Sequence, residues 1–401
     1  MRKLDNWLLS YIDYTRNTES APLFHKWTGL SMIAAALQKK VWFKLGRIRV
    51  NSNLYVVLTA EPGIARKTQA LNFGDEILSE VQLIHRSADT TSPQAMLDDL
   101  ESAREEDQLP SGELFSHNSL NVISGEFESF LGQKKDNTKM LITLTDLFDC
   151  KQRPYKGRTR HSGDVTIDSP WLNVLAATTP TSLANCIPPA AIGGGLTTRI
   201  LFIWADRDGG KCPIPEETPR VLELRDLLIH DLSMIRGIAG EYNFSPASRG
   251  WWINWYNKYE QLNPERLCKE PAFTGWYSRK PLFILKLGMI LTAANCSKRE
   301  VAVNEFELAI EFIEEIEGTM ANTFVAVGRS ELATDINDVS KILRTHRNIS
   351  EKALLSIVWK DMDINKFDPV IMTIIKRGDA KRMYKGPDGK SGIWYHWIKE
   401  D

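Results

Sequence analysis

Short apolar runs alternate with helical stretches between residues 51 and about 206. Five of these runs have the length of strands, at 54–59, 81–85, 119–124, 171–178 and 199–204. Strands that are separated by helices in this way form a parallel sheet with crossover helices. The pattern therefore predicts an α/β core over residues 51–210.

The flanking segments have different patterns. Residues 1–50 are predicted to be helical and then extended, and the polar stretch 105–118 is predicted to be a solvated loop. Residues 206–210 are Asp-Arg-Asp-Gly-Gly, a polar and Gly-rich composition that predicts a domain boundary. Residues 211–330 have a helical pattern throughout. In 331–401, three short helices precede a hairpin with a Gly-rich tip, which is the order of elements in a winged helix.

Composition narrows the class of protein only slightly. The 401 residues are enough for two or three domains, since one core rarely exceeds about 250–300 residues. A net charge of −1 gives no global attraction to nucleic acid or membranes. The five cysteines lack CxxC spacing, which indicates reduced thiols, and the chain shows neither a signal peptide nor an apolar run that spans a membrane. We expect a cytoplasmic protein.

The first buried strand, 54–58, is followed by the sequence Thr-Ala-Glu-Pro-Gly-Ile-Ala-Arg-Lys-Thr. A strand that breaks into a Gly/Pro loop and offers Lys-Thr at a helix start is how proteins hold a nucleoside triphosphate. Two glycines of the usual pattern are replaced, by Glu61 and Arg66. The loop is a variant phosphate loop for ATP or a chance match. The candidate binding residues are Gly63, Ile64, Ala65, Arg66, Lys67 and Thr68.

A second polar site follows the strand at 119–124. Phosphoryl-transfer ATPases place an acid here to hold Mg²⁺ and to orient the attacking water. Glu126 is the candidate, whereas the preceding position, where a metal-holding Asp is usual, is Gly125. Mg²⁺ would then depend on Thr68 and Glu126. Alternatively, Glu126 is an exposed acid that opens a helix.

Two further strand ends carry candidates for the same site. Thr178 and Thr179 could sense the γ-phosphate, or could cap the helix that starts at Pro180. Arg199 follows the flexible Gly193–Gly195 segment, and an Arg supplied across a subunit boundary raises phosphoryl-transfer rates by about 10³–10⁵. The alternative is a surface Arg paired with a carboxylate.

Two basic sets predict contact with nucleic acid, although such charge runs are also typical of solvated faces. A loop with one aromatic residue supplies Lys151, Arg153, Tyr155, Lys156, Arg158 and Arg160, with Lys134, Lys135 and Lys139 nearby. The predicted winged helix supplies Lys381, Arg382 and Lys385 along its wing. A winged helix that docks protein is the alternative for the second set.

Blocks at 19–27, 53–68, 122–127, 144–150 and 176–199 together resemble phage- and prophage-encoded helicase-like ATPases, often labelled primase/helicase proteins. The region from Ser278 to Phe306 is similar to the lid of ring-forming ATPases such as the minichromosome-maintenance helicases. The resemblance implies a P-loop NTPase core of AAA+/RecA type with a helical lid, and it makes Arg279 a second sensor of the γ-phosphate. It also implies a hexameric homo-oligomer that acts on DNA in replication in a bacterial host, with phage or host replication proteins as possible partners.

The sequence thus predicts an ATP-hydrolysing DNA translocase or helicase. Lys67, Thr68 and Glu126 would act in cis and Arg199 in trans, and the loop at 151–161 would line the pore. Two alternatives stay open. One is a replication initiator or helicase loader that uses ATP as a slow switch, and the other is a DNA-binding regulator on a degenerate nucleotide fold.

Overall fold

The computed structural model describes residues 1–401 except 88–91, 134–136, 160–162, 189–190, 208, 262–272, 325–330, 360–361, 363, 388, 390 and 400–401. The chain is a mixed α/β protein that divides into two compact units, Met1–Val327 and Gly328–Asp401. The predicted N-terminal segment and core lie in the first unit, and so does the predicted lid as far as Val327. Within the described residues, none of the helices combines the length and apolar character that a membrane-spanning segment needs.

The first unit is built from short strands and helices. Its strands are β1 (Val41–Leu45), β2 (Ile48–Asn51), β3 (Tyr55–Thr59), β4 (His85–Arg86), β5 (Arg104–Gln108), β6 (Leu114–Ser124), β7 (Tyr155–Thr159), β8 (Gly163–Ile167), β9 (Pro170–Thr178), β10 (Leu201–Trp204), β11 (Gly240–Phe244) and β12 (Glu300–Val301). Its helices are α1 (Trp7–Tyr14), α2 (Pro22–Leu37), α3 (Lys67–Ser79), α4 (Pro93–Ser102), α5 (Phe127–Leu131), α6 (Thr138–Phe148), α7 (Pro180–Cys186), α8 (Pro219–Arg236), α9 (Pro246–Gln261), α10 (Thr274–Tyr277), α11 (Lys280–Asn295), α12 (Val303–Glu317) and α13 (Met320–Thr323).

The central sheet has the strand order β10-β3-β9-β6-β4, with all neighbours parallel, and β5 pairs antiparallel with β6. Strands β3 and β9 are buried along their whole length, as expected for parallel strands covered by helices on both faces. The predicted parallel core is confirmed. The strand predicted at 81–85 is shorter and later than expected, because only His85–Arg86 pairs with β6. The strand predicted at 199–204 begins at Leu201, after a 3₁₀ turn over Thr197–Arg199.

The prediction of a solvated loop over 105–118 is wrong. Strands β5 and β6 form an antiparallel hairpin here, and the half-buried side of β5 that carries Asp107 explains why. Asp107 Oδ2 accepts hydrogen bonds from Lys40 Nζ at 3.1 Å and from the ring nitrogen Nε2 of His117 at 3.0 Å. Arg104, Glu106 and Gln108 are exposed on the other side of β5, so an edge strand can look like a loop in sequence.

A second sheet has the order β12-β11-β1-β2, with β1 and β11 parallel. The prediction that 211–330 is helical throughout is therefore wrong for β11 and β12, although α8, α9, α11 and α12 lie there. Strand β11 is held by pairing with β1, about two hundred residues earlier in the chain, and β12 pairs with β11, which local patterning does not reveal. Helix α11 is joined to the end of β2 in the same way, since the buried ammonium of Lys286 donates to Asn51 O and Asn53 O, each at 2.9 Å.

The second unit has its own apolar core, which includes Val339, Leu354, Phe367 and Ile374. Its three-stranded antiparallel sheet has the order β13-β15-β14. Helices and the hairpin occur in the predicted order. The elements are α14 (Glu331–His346), β13 (Asn348–Ser350), α15 (Glu351–Val358), α16 (Ile364–Lys376), β14 (Ala380–Lys385) and β15 (Ser391–Trp397).

Candidate nucleotide site and arginine cluster

The loop between β3 and α3 makes a tight turn in which two residues other than glycine have positive φ angles. Gly63, Ala65 and Arg66 have φ angles of 74°, 61° and 49°. Only Gly adopts this left-handed region freely, and other residues are strained there by about 1–2 kcal/mol each. Ala65 and Arg66 thus have the backbone conformation that glycine usually supplies. Strain of this kind persists where the surroundings enforce it, commonly at ligand sites.

The segment before α2 makes the contacts that hold Ala65 and Arg66 in this backbone conformation. Ala21 N–H donates to Ala65 O at 3.2 Å, and Ser20 Oγ lies 3.1 Å from Arg66 O. The Arg66 guanidinium forms an ion pair with Glu19, with 2.9 Å between Nη2 and Oε2. The supporting role of residues 19–21 was not predicted. The only indication of this role in the sequence is that residues 19–27 form one of the blocks that resemble helicase-like ATPases.

Lys67, the first residue of α3, lies folded back on its own loop. Its Nζ donates to Ala60 O at 3.0 Å and to Glu61 O at 3.2 Å. Partial burial lowers the pKa of this ammonium, while the carboxylates of Glu126 and Glu61 oppose the shift. These carbonyl partners are weaker acceptors than an anionic phosphate oxygen, which could replace them.

The acid predicted after β6 lies on the same side of the site. Glu126 is exposed at the start of α5, its side chain caps no helix N–H, and its charge acts on Lys67. A Cβ added at Gly125 would lie 3.7 Å from Thr68 Cγ2, which is an ordinary contact. Gly125, where a phosphoryl-transfer ATPase would carry its metal-holding acid, therefore faces Thr68 and has no side chain.

Thr178 and Thr179 occupy different environments. Thr178 ends β9 and pairs in register with Thr59, the last residue of β3, so it lies at the level where the loop begins. The Thr179 hydroxyl accepts a hydrogen bond from Ser182 N–H at 3.1 Å and caps α7. Capping was the alternative interpretation, and it describes Thr179. Thr178 remains the residue of the pair that adjoins the loop.

Arg199 is nearly buried, with a side chain that is 11% exposed. Its Nη2 lies 2.9 Å from Asp149 Oδ2, and its Nη1 donates to Gly195 O at 2.9 Å. Arg279 reaches the same carboxylate, with 3.7 Å between Nη1 and Asp149 Oδ1. Burial, and then the like charge of Arg199, lower the pKa of Arg279. We call Arg199, Arg279 and Asp149 the arginine cluster.

The arginine cluster lies at the opposite end of the central sheet from the loop between β3 and α3. Leu201 pairs with Val56, so Arg199 lies beyond the amino-terminal end of β3. The loop follows Thr59, at the other end of that strand. At ~3.3 Å per residue the two levels are separated by roughly 16 Å. An arginine side chain cannot cover that distance, so neither arginine reaches the loop of its own chain.

The basic segment predicted as a loop over 151–161 is instead a hairpin, formed by β7 and β8 between α6 and β9. The buried Lys39 ammonium links the segments on either side of the hairpin, since it donates to Lys151 O at 3.2 Å and to Pro170 O at 3.0 Å. Lys151 itself pairs with Asp146. Among the candidate contacts, Arg153 and Lys156 are exposed and Tyr155 is half-buried. The Arg158 side chain, Arg160, Lys134 and Lys135 lie outside the described residues.

In the second unit, the cations lie on the hairpin. Lys381, Arg382 and Lys385 are exposed on β14, next to Tyr384, which is 74% exposed. The Arg382 guanidinium lies 5.8 Å from the Tyr384 ring centre. The described outer face of α16 is less basic. It presents Asp368, Pro369 and Met372, with Lys376 at its end.

No protein-family model matches the chain, and no curated protein matches it. The functional assignment therefore depends on the geometry of these sites.

Proposed function

We propose that the chain is an ATP-hydrolysing DNA translocase or helicase, which works as a ring of identical subunits in a phage or prophage replication system. The observation that carries the proposal is the place of the phosphate loop in the central sheet. Strands β3 and β9 are neighbours in the middle of the sheet, but the connections that follow them run in opposite directions. The chain after β3 continues to β4 at one edge of the sheet, and the chain after β9 continues to β10 at the other edge. Open α/β sheets bind ligands at the carboxyl ends of strands at such a switch point.

Four groups converge at this switch point. Lys67 would neutralise the β- and γ-phosphates, and Thr178 would sense the γ-phosphate. The Thr68 hydroxyl and the Glu126 carboxylate would hold Mg²⁺, which neutralises charge on the phosphates. The residues fit this ion as hard oxygen donors, with Glu126 close enough to act on Lys67. Glu126 would also orient the attacking water.

Two elements support an action on DNA. The β7–β8 hairpin carries exposed cations and Tyr155, which suits a contact with a phosphate backbone and stacking on a base. The second unit has the element order of a winged helix, with Lys381, Arg382 and Lys385 on its wing. A wing that is more basic than α16 favours contact with phosphates over reading of bases.

Lys67→Ala tests the central assignment. We expect this change to abolish phosphate release stimulated by single-stranded DNA, because the remaining loop cannot offset the charge of the triphosphate. Lys44→Ala is the matched control, since Lys44 is an exposed lysine on β1. Turnover by Lys67→Ala at the rate of Lys44→Ala would remove the loop from the mechanism.

A slow ATP-driven switch, as in a replication initiator or helicase loader, is the second candidate. Gly125 favours it, because the site lacks the carboxylate that usually holds the metal next to Thr68. A strand-displacement assay separates the two functions. A helicase displaces the strand in proportion to ATP turnover, whereas a loader binds DNA and displaces nothing.

A further inference from the structure

We infer that two successive bases of a single DNA strand occupy two cavities at the root of the β7–β8 hairpin, one on each side of Tyr155. The inference rests on the proposed action on DNA and deepens it, because it places the strand in cavities of the first unit and not along the exposed hairpin. It also gives this site a selectivity, since only an unpaired strand can present its bases in this way.

The first argument is the arrangement of the two cavities. The larger, of about 750 Å³, is lined by α6 and residues 191–199, and the smaller, of about 370 Å³, is lined by α6 and residues 151–154. Asp146, Tyr155 and Lys156 line both cavities and so form the wall that the cavities share. Both volumes lie within the range of about 300–1,000 Å³ that is usual for ligand sites. A base in each cavity would therefore have Tyr155 between them.

The second argument is the chemistry of the larger cavity. Its walls are mainly apolar and include Leu141, Ile142 and Leu196. Ile142 is 65% exposed at the edge of this cavity, and Tyr155 is half-buried in the shared wall. Apolar side chains and an aromatic ring suit the face of a base, and such stacking tolerates any sequence because every base has a π-face.

The third argument is charge. Four charged residues line the smaller cavity, namely Asp146, Lys151, Arg153 and Lys156. Lys151 is paired with Asp146. Arg153 and Lys156 are exposed and form no ion pair with any residue that the structure describes. The two remaining positive charges complement the phosphates that join successive bases.

Duplex DNA cannot use this arrangement. Its bases are stacked on one another, and extruding a base from the duplex costs the free energy of unstacking and unpairing. A single strand exposes the faces of its bases without that cost. The structure therefore favours a single strand at the two cavities.

A single-stranded oligonucleotide with one 2-aminopurine tests the stacking, because the fluorescence of this base is quenched when it stacks on an aromatic ring. In the absence of ATP, we expect Tyr155→Leu to lose the quenching. We expect its affinity for the strand to fall about 5–150-fold, which is the usual contribution of one stacked base. Tyr155→Phe keeps the ring and should keep the wild-type affinity. Affinity for duplex DNA should be the same in all three proteins.

Ile142→Glu tests the larger cavity without removing a core side chain, since Ile142 is 65% exposed on α6. The added carboxylate would repel the phosphates of the strand, so we expect affinity for single strands to fall at least about fivefold. Ile253→Glu is the matched control, because Ile253 is an exposed isoleucine on another helix of the same unit. This control should bind single strands as the wild type does.

Unchanged affinity and quenching in both Tyr155→Leu and Ile142→Glu would overturn the inference and leave the proposed function standing. A loss in Tyr155→Leu alone would overturn the use of the larger cavity. Binding of polyglutamate but not of single strands, with a loss in Ile142→Glu, would assign the cavities to an acidic peptide instead. If the wild-type protein binds no DNA of either kind, the proposed function itself fails, which is a separate outcome.

Discussion

Introducing an acid at position 125 should increase the affinity of this protein for Mg²⁺. Gly125 follows β6, and a Cβ placed there would lie 3.7 Å from Thr68 Cγ2. The φ angle of Gly125 is not positive, so an aspartate can adopt its backbone conformation without strain. Gly125→Asp would therefore place a carboxylate next to the hydroxyl that we assign to the metal.

The expected effect has two parts. Replacing glycine by a residue with a side chain stiffens the unfolded chain and stabilises the protein by about 0.4–1 kcal/mol where the conformation is compatible. Groups that support a metal ligand commonly change metal affinity by about 10–100-fold. We therefore expect the Mg²⁺ concentration for half-maximal ATPase to fall by about tenfold or more in Gly125→Asp.

Gly125→Asn separates the two parts, because it has nearly the same shape and no charge. Both variants should unfold at similar temperatures, and only the aspartate should change the Mg²⁺ titration of ATPase rate. Equal titrations for aspartate, asparagine and wild type would refute the placement of the metal beside Thr68.

Three further predictions follow from other sites. His25, whose pKa burial lowers to about 4 from its ordinary 6.5, stays neutral in the fold, so stability should drop by on the order of 3 kcal/mol between pH 6.5 and 4. Urea unfolding of His25→Gln should lack that part of the pH dependence. Arg66→Gly should change the free energy of unfolding by less than about 1 kcal/mol, because the strain relieved at a φ of 49° offsets both the greater freedom of glycine in the unfolded chain and the lost exposed ion pair; a loss of stability in urea well above that would contradict the strain. Replacing Lys381, Arg382 and Lys385 by alanine should reduce the log–log salt slope of DNA binding by up to about 3. An unchanged slope in a salt titration would exclude the wing as a DNA contact.

In the first unit, the sequence predicted the strands that are buried along their whole length and missed several that are not. Strands β3 and β9 are apolar because helices cover both faces, so their runs are visible without any tertiary information. Strands β5 and β7 carry charged residues, since one side of each faces solvent or a polar partner. Strand β11 depends on pairing with β1 and strand β12 on pairing with β11, and both are contacts between distant parts of the chain.

Some residues of the candidate site could likewise be predicted from the sequence, whereas others depend on the fold. Lys67, Thr68 and Glu126 could be predicted because they follow buried strands at fixed offsets. Asp149 could not, because an acid at the end of a helix is ordinary in sequence, and only the fold brings Arg199 and Arg279 to it. The positive φ angles of Ala65 and Arg66 were equally hidden, since they depend on contacts from residues 19–21.

Direct binding of ATP with Mg²⁺ tests the central claim, that the turn after β3 holds a triphosphate. Calorimetry on wild type and Lys67→Ala is the most direct measurement. We expect saturable binding by wild type and a loss of about 10–100-fold in the variant, because a hydrogen bond to a charged group contributes about 1.5–3 kcal/mol. Absence of affinity for any adenine or guanine nucleotide, or equal affinity in both proteins, would contradict the claim.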